Sequence, residues 1–470
     1  MKRAAVVLCA GQGTRMKSEI PKVLHPIWGQ PMGAWAIKAA LHSGAGQVVT
    51  VVGHQAERVT KALKKSVPEI TTAFQAEQKG TGHAVKMALP QLEQFTGTVL
   101  VLCGDTPCLT GTTLEQLCLA REESNAPLAL ATAMVPDPTG YGRIVRDMLG
   151  RLVRIVEQKD ATSEERQIDE INTGVYAFDA AFLRAGLSAL TAENAQGEFY
   201  LTDLIGMAAA RISEEDSLPT LQIPIEEALG VNDRVQLAEA GQLLRAQILH
   251  YWMENGVSMV DPATTYVDAS VHMEQDVTLG AHVSLRGRTD IESHAQIDAG
   301  CVLTDTHVGK NSKIHCYSVC ENAFVGNDVN VGPFARLRPD AKLESNSKVG
   351  NFVEIKKAVL GEGAKANHLA YIGDADIGAG SNIGAGTITC NYDGFGKNKT
   401  VLGENVFVGS NSTLVAPMRI GAGAYVAAGS TINKTVEQDD LAIARVKQDN
   451  KKGYAAKIRN RFKKRKESQK

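Results

Sequence analysis

The sequence predicts two folds in series, an α/β Rossmann-like domain and a parallel β-solenoid, joined by a long helix. Over residues 1–234, apolar strand candidates (4–8, 48–52, 98–102) alternate with helical stretches such as 33–42 and 82–89. That is the order of a largely parallel sheet covered by helices. Residues 235–255 carry an apolar stripe, Val235, Ala238, Leu243, Leu244, Ile248, Tyr251 and Trp252, which Gly256 ends, so this segment reads as a helical linker. Over 256–446 an aliphatic residue recurs at every sixth position, most strictly at Val325, Val331, Leu337, Leu343, Val349 and Ile355, and again at Val408, Leu414, Ile420, Val426 and Ile432. Period six fits neither one amphipathic helix nor one alternating strand, whereas short strands wound about a single axis aim all of these residues into one stacked core. A basic tail, 447–470, closes the chain.

A length of 470 residues exceeds one ordinary domain. Hydrophobic residues at 44% and charged residues at 22% exclude a disordered chain, and no apolar run reaches the roughly 20 residues of a bilayer-spanning helix. Met1-Lys2-Arg3 precedes a short apolar stretch that flows into a glycine loop rather than a cleavage site, so the expectation is a cytoplasmic protein with no membrane partner. The eight cysteines form no CxxC pair and no zinc-spaced cluster with histidine, which points to free thiols. The net charge is −2, but 451–470 carries ten Lys/Arg against Glu467 alone; that local +9 leaves about −11 for the rest, so no nucleic-acid partner is expected.

The first chemical constellation is Leu8-Cys9-Ala10-Gly11-Gln12-Gly13-Thr14-Arg15-Met16, followed by Pro21-Lys22. A strand enters this loop and a helix leaves it, so backbone N–H groups can cradle phosphate. Arg15 and Lys22 add two cations. Opposite charges about 4 Å apart attract by on the order of 4 kcal/mol at an effective dielectric of about 20, so both side chains count against a triphosphate. The loop is no dinucleotide fingerprint, because Met16 holds the third glycine place. Asp105 follows the apolar run 99–102. Carboxyl ends of strands in an open parallel sheet face the ligand crevice, where a carboxylate can hold Mg²⁺; a turn-capping aspartate is common in general, but Gly104 and the strand context favour the metal role.

The longer string LxxGxGTRM with Pro21-Lys22 resembles the nucleoside-diphosphate-sugar pyrophosphorylases, as do the segments 75–84, Cys103-Gly104-Asp105, Gly140-Tyr141-Gly142-Arg143-Ile144, 155–159, Ile171-Asn172-Thr173-Gly174 and Val231-Asn232-Asp233. The resemblance implies that a sugar 1-phosphate oxygen attacks the α-phosphorus of a nucleoside triphosphate, with Arg15 and Lys22 as the catalytic cations. It places Leu8, Ala10, Gly11, Gly13, Lys22, Gln75, Gly80, Thr81, Cys103, Gly104 and Asp105 on the nucleotide. Gly142, Glu157 and Asn172 would grip the sugar, and Asn232 would join Asp105 on the metal. Read as residues alone, each of these last positions is an ordinary loop residue.

In the second half the hexad pattern is loose at Val271, Val277, Val283 and at Ile291, Ile297, Leu303, and it breaks around 361–370 and 390–399, where loops are expected to leave the coils. Glycine often follows the aliphatic position, as in Val325-Gly326, Val331-Gly332, Val349-Gly350, Val408-Gly409 and Ile420-Gly421, which suits turns with unusual backbone angles. His368 falls in the first break, near Arg338, Glu354 and Lys356 of preceding coils, which stack at about 4.8 Å. A lone loop histidine is usually inert. Here one base, two cations and a carboxylate suit an anionic sugar phosphate that bears an amine.

The strings GPFARLRP (332–339), VGNFVEIKK (349–357), NIGAGTITCNYDG (382–394) and FVGSNSTLVAP (407–417) resemble the hexapeptide acyltransferases, whose left-handed parallel β-helices bind acetyl-CoA between subunits. Over nearly its full length the chain is similar to the bifunctional family of bacterial envelope synthesis that acetylates glucosamine 1-phosphate and then uridylylates the product. That similarity implies a homotrimer using acetyl-CoA, UTP and Mg²⁺ to make UDP-N-acetylglucosamine for peptidoglycan and lipopolysaccharide precursors. By it His368 is the general base for acetyl transfer, its ordinary pKa of about 6.5 suiting neutrality, and Glu354 orients it. Arg338 and Lys356 would hold the phosphate, and Tyr371 and Asn382 the sugar. Ala385, Asn391, Tyr392, Ser410, Ala428 and Arg445 would contact acetyl-CoA.

The basic tail stays open between a solvated end and a source of cations for the CoA phosphates, as the family's C-terminus provides; no aromatic interleaving supports nucleic-acid binding. Two rival functions stay open on the residues alone. One is a monofunctional sugar nucleotidyltransferase whose solenoid serves assembly, and the other is a nucleotide sensor on a scaffold.

Overall fold

The computed structural model describes residues 1–213 and 216–469. The chain divides into two compact units, Met1–Tyr251 with Val267–Ala269, and Trp252–Tyr266 with Ser270–Lys470.

The first unit is built on a nine-stranded sheet of β1 (Arg3–Cys9), β2 (Gln47–Val52), β3 (Thr71–Phe74), β4 (Thr98–Cys103), β5 (Leu128–Met134), β6 (Arg143–Arg146), β7 (Leu152–Val156), β8 (Glu170–Asp179) and β9 (Thr220–Gln222). Its order is β9-β5-β8-β4-β1-β2-β3, with β6 and β7 as a hairpin beside β8. β1 lies parallel to both β2 and β4. Ala4, Ala5, Val6 and Val7 are all fully buried, because one core cluster covers each face of the sheet. From β1 the chain builds outward through β2 and β3, then returns to place β4 on the other side of β1. That reversal opens a crevice at the carboxyl ends of β1 and β4.

β8 runs antiparallel to β4 and β5, so the sheet is mixed. Residues 171–174 lie in this strand rather than in a loop, and the register slips between Asn172 and Tyr176. A bulge of this kind re-aims a side chain within a strand, which is how Asn172 faces a site from a sheet interior.

The helix Arg234–Glu254 ends ahead of Gly256, whose φ of 90° stops it. Its buried face is phased differently from the expected stripe: Ala240, Leu244 and Leu249 are buried, while Val235 and Tyr251 are exposed. Leu237, Ala240 and Leu244, at helical spacing, pack with Ile27, Met32 and Cys108, and Trp28 Nε1 donates to the Gly241 carbonyl at 2.6 Å. The first half of the helix therefore belongs to a small core of the first unit.

The second unit stacks short strands into three parallel sheets of 11, 10 and 9 strands, a left-handed parallel β-helix. The hexad residues form its interior columns. Val325, Leu343, Leu360, Ile377, Leu402 and Ile420 stack on one face, and Val331, Val349, Ala366, Ile383, Val408 and Val426 on the next. In the early coils the column partners of Ile291, Ile297 and Leu303 are Met273, Leu279 and Leu285, not Val271, Val277 and Val283. Those valines sit two residues earlier and also point inward, so both sets are buried.

The expected loop at 361–370 does not form. Lys365–His368 is a coil strand, with Val349 paired to Ala366 and Asn351 to His368. The repeat was masked because the step from Ile355 to the next inward residue, Leu360, is five residues, and the one after it is only an alanine, Ala366. The second break does leave the coil: Val329 N–H reaches Ser312 Oγ across 17 residues, whereas the equivalent bond from Val406 to Ser381 spans 25, and a Tyr392–Lys397 bridge closes the insert.

Of Gly326, Gly332, Gly350, Gly409 and Gly421, only Gly332 has a positive φ, 97°. The others answer to close stacking. A Cβ on Gly350 would lie 1.9 Å from the Asn367 carbonyl oxygen, and one on Gly409 or Gly421 would lie 2.4 Å from a backbone nitrogen of the next coil. Left-handed corners fall instead on residues such as Asp328, Phe334, Asn346 and Phe352.

All eight cysteines are free. No helix of the described residues is long and apolar enough to cross a membrane. Tyr454–Glu467 in the basic tail forms a helix exposed along its whole length.

Two candidate active sites

The crevice of the first unit gathers three charged side chains and one amide from four separate motifs. Lys22 Nζ donates to Asp105 Oδ2 and reaches Asn232 Oδ1 at 3.3 Å, and Arg15 Nη2 donates to the same oxygen at 2.8 Å. Gly13, with φ 66°, makes this possible: a Cβ there would lie 2.5 Å from Lys22 Cβ. Asp105 is fixed from behind, since Val231 N–H donates to its carbonyl at 2.8 Å. Gly104 N–H donates to Leu8 O at 2.9 Å, and a Cβ on Gly104 would strike Cys9 Sγ at 2.4 Å, so the two loops close on each other. Burial pushes the Cys103 thiol up to about 12, with Asp105 adding to the effect, so it stands there as neutral S–H.

The described residues hold no group of three or more His, Cys, Asp or Glu side chains suited to a metal. Asp105 and Asn232 nevertheless offer two hard oxygens to one ammonium. A small divalent cation that takes one or two protein oxygens and fills its shell with water and phosphate fits that pair.

The segment 75–84, expected to meet the base, closes over the rim. Gln78 Nε2 donates to the Ala10 carbonyl at 2.7 Å, which ties it to the glycine loop, while nothing would crowd a Cβ on Gly11. Gly80 has φ 100°, and a Cβ there would meet Phe199 O at 2.6 Å. Thr81 Oγ1 accepts from Leu201 N–H at 3.2 Å.

Gly142, Glu157 and Asn172 converge on one space. A Cβ on Gly142 would find Glu157 Oε2 at 3.5 Å and Asn172 Cβ at 3.6 Å, so the glycine keeps a cavity open between them. Burial raises the Glu157 carboxyl above its ordinary value, against a hydrogen bond from Thr202 Oγ1 at 3.2 Å. The Asn172 amide is clamped by Tyr176, its Nδ2 at 2.7 Å and its Oδ1 at 3.0 Å from the hydroxyl. Sequence reasoning missed Tyr176 and Thr202; the four-residue step from Asn172 to Tyr176 carries no sign of the bulge that joins them.

In the second unit Asn351 and His368 pair in register, and His368 Nδ1 lies 2.7 Å from Asn351 Oδ1. The side chain that His368 meets is thus Asn351, while Glu354 Oε1 accepts from Arg338 Nη1 at 2.8 Å. The signal for Asn351 was its place one 17-residue coil before His368. Arg338 and Lys356 follow the column partners Leu337 and Ile355, which brings two cations into adjacent coils. Tyr371 occupies the column of Glu354, and Asn391 Nδ2 reaches its hydroxyl at 3.5 Å while also donating to Asp374.

Asn351, His368, Ala385, Ser410 and Ala428 form a single column of the solenoid, each two residues beyond a buried ladder residue. The carbonyls of His368, Ala385 and Ser410 accept from Gly386, Asn411 and Gly429 of successive coils. A thioester carrier lying along this column would meet backbone more than side chains, which suits alanine there. Asn382 is half-buried on the strand leading to Ala385. Tyr392 stands on the insert beneath Lys397, whose ammonium is 4.4 Å from its ring centre. Arg445 is exposed and directly follows Ala444, which the pairing of Val426 with Ala442 places one coil beyond Ala428 in this column.

Residues 5–170 match the family model of a MobA-like NTP transferase domain, and residues 399–434 match that of the bacterial transferase hexapeptide (six repeats). The bifunctional protein GlmU of Pelobacter propionicus is 48% identical over 464 residues, covering 97% of this chain and 99% of its own. GlmU of Sorangium cellulosum is 48% identical with 98% and 97% coverage, and that of Trichlorobacter lovleyi 48% identical with 97% and 99%.

Proposed function

The chain belongs to the family of bifunctional GlmU proteins, and from that premise we propose how its residues divide two reactions. It is a bifunctional transferase of cell-wall precursor synthesis. It acetylates glucosamine 1-phosphate from acetyl-CoA, and it transfers a uridylyl group from UTP to the product, releasing pyrophosphate and UDP-N-acetylglucosamine.

In acetyl transfer, Asn351 accepts from His368 Nδ1–H and leaves Nε2 as the base. That nitrogen takes the proton of the glucosamine amine as the amine attacks the thioester carbonyl; the C–N bond forms, the C–S bond breaks, and the proton is passed to the departing thiolate. Arg338, aligned by Glu354, and Lys356 hold the sugar phosphate, with Tyr371 and Asn382 on the sugar. Ala385, Asn391, Tyr392, Ser410, Ala428 and Arg445 receive acetyl-CoA.

In uridylyl transfer, a phosphate oxygen of the N-acetylated sugar attacks the α-phosphorus of UTP in line with the leaving pyrophosphate. Both reactants are anions, so catalysis is alignment and neutralisation. Arg15 and Lys22 supply fixed positive charge. Asp105 and Asn232 would hold Mg²⁺, which would supply neutralising charge to the phosphate oxygens. Gly142, Glu157 and Asn172 grip the sugar, and Gln75 and Gly80 read the base. A cytoplasmic homotrimer is part of this reading, supported by the hexapeptide repeats and the absence of a membrane-crossing helix among the described residues.

The observation that carries the proposal is the meeting of Arg15, Lys22, Asp105 and Asn232 at one point. Purified protein given glucosamine 1-phosphate, acetyl-CoA, UTP and Mg²⁺ is expected to release both free CoA and pyrophosphate. Asp105→Ala should lose only the pyrophosphate, and His368→Ala should lose the sugar-dependent thiol while still releasing pyrophosphate when N-acetylglucosamine 1-phosphate is supplied directly. Retention of both activities in either variant would refute its assigned site.

A further inference from the structure

Gln75 sits where β3 meets the crevice rim: its backbone N–H donates to Val52 O at 2.8 Å, and its carbonyl lies against Gly53. Its side chain is 4% exposed, and its Nε2 faces Gly80 O at 3.4 Å and His83 Nδ1 at 3.1 Å. A carbonyl oxygen can only accept, so Gly80 decides which end of the amide is the NH₂ group. Nδ1 of His83 must then be the lone-pair nitrogen, with the imidazole proton on Nε2. Both amide protons are engaged, and Oε1 remains as an acceptor and nothing else.

We propose that His83 is a positioning residue that sets the pyrimidine choice of the uridylyl-transfer site. By accepting from Gln75 it locks the amide with Oε1 free, an arrangement that accepts from the N3–H of uracil and opposes the bare N3 of cytosine. The inference rests on the reading of Gln75 as a base contact and deepens it. Both partners that fix the amide are themselves held. Gly80 O belongs to a backbone that has no room to shift, because a Cβ on Gly80 would meet Phe199 O at 2.6 Å. His83 lies in the first turn of the helix Thr81–Ala88, whose start is pinned by Gly82 N–H to Phe199 O at 2.9 Å and by Leu201 N–H to Thr81 Oγ1 at 3.2 Å. Were Nδ1 to carry a proton, two donors would face each other and the amide would have to turn, presenting NH₂ to the base and reversing the preference.

The test is kcat/KM for UTP and for CTP, read as pyrophosphate release by the full chain with N-acetylglucosamine 1-phosphate. In His83→Ala the UTP:CTP ratio is expected to fall by on the order of tenfold or more, since selection rests on an acceptor whose orientation is no longer fixed. In His83→Asn the ratio should be retained, because Asn Oδ1 takes the place of Nδ1 as an acceptor. A merely structural histidine would lower turnover with both nucleotides alike and leave the ratio where it was, which overturns the proposal. If His83→Ala does not fold, the pair His83→Asn and His83→Gln decides: Gln reaches the Nε2 position instead, so loss of the ratio in Gln with retention in Asn supports the role, and equal ratios refute it. Gln75→Ala separates the two layers. Collapse of the ratio in Gln75→Ala without change in His83→Ala removes His83 alone, and no change in either removes Gln75 as the base reader.

Discussion

Lys22 and Asn232 stand 210 residues apart in the chain, and Lys22 Nζ lies 3.3 Å from Asn232 Oδ1. The contact exists because the loop after β1 and the segment after β9 both end at the crevice where the sheet order reverses. Asn232 is steadied there by its own N–H donating to Gln236 Oε1 at 2.8 Å. The charged cluster is therefore complete only when the first and last segments of the unit have both folded.

Removing either oxygen donor should disable uridylyl transfer selectively. Asn232→Ala is expected to lower pyrophosphate release by on the order of 10²-fold, the scale of one preorganised electrostatic group, with sugar-dependent CoA release at the wild-type rate. Parallel assays of the two products in one preparation check this.

Asn351 should matter through His368. Asn351→Ala is expected to reduce acetyl transfer by about tenfold, less than the roughly 10²–10⁴-fold loss in His368→Ala, because the base survives but its tautomer and ring plane are no longer held. Steady-state kinetics with saturating acetyl-CoA rank the two variants.

Glu157 makes stability depend on pH. Burial raises its carboxyl above 4.5 in the folded state, with a lesser opposing hydrogen bond from Thr202 and reinforcement from Asp160, Asp203 and Glu198. A raised folded value means that its contribution to stability is fully present below 4.5 and is lost as pH rises through the raised value. Glu157→Gln should accordingly melt at a higher temperature than wild type near neutral pH, with the gap closing as pH falls toward 4.5, while UDP-sugar formation is impaired. Thermal unfolding of both proteins across that range is the measurement.

Two glycines separate stacking from backbone angle. Gly350→Ala, whose Cβ would press on the Asn367 carbonyl, should destabilise the solenoid by about 1–3 kcal/mol, at the upper end because backbone cannot swing aside. Gly363→Ala, with φ 66° and open space around it, should cost only about 1 kcal/mol. Denaturant titrations of the two variants give the comparison.

No residue of the tail helix Tyr454–Glu467 is buried, so deleting it should leave the unfolding temperature nearly unchanged. The KM for acetyl-CoA in the same truncated protein then reads out whether its cations serve the CoA phosphates.

The period-six columns were legible because each inward position needs an aliphatic side chain. The same rule failed at 361–370, where Ala366 fills the column and the stretch looked like a loop although it is a strand. The glycines were visible too, but not their reason: a stacking clearance of 1.9 Å at Gly350 belongs to a neighbour one coil away. The motif residues of both sites could be named one by one, yet Tyr176 and Thr202 lay outside every motif, and Asn351, though inside the string 349–357, carried no sign beyond coil spacing that it faces His368.

By itself the sequence determined what is local and periodic: strands alternating with helices, a glycine loop that can cradle phosphate, and a six-residue repeat that can only wind. Tertiary structure alone decided which polar groups face one another. Asn351 came to meet His368 while Glu354 met Arg338, and His83 came to face Gln75, because hydrogen bonds are fixed over a few tenths of an ångström by register between coils and by the closing of a helix on a sheet edge.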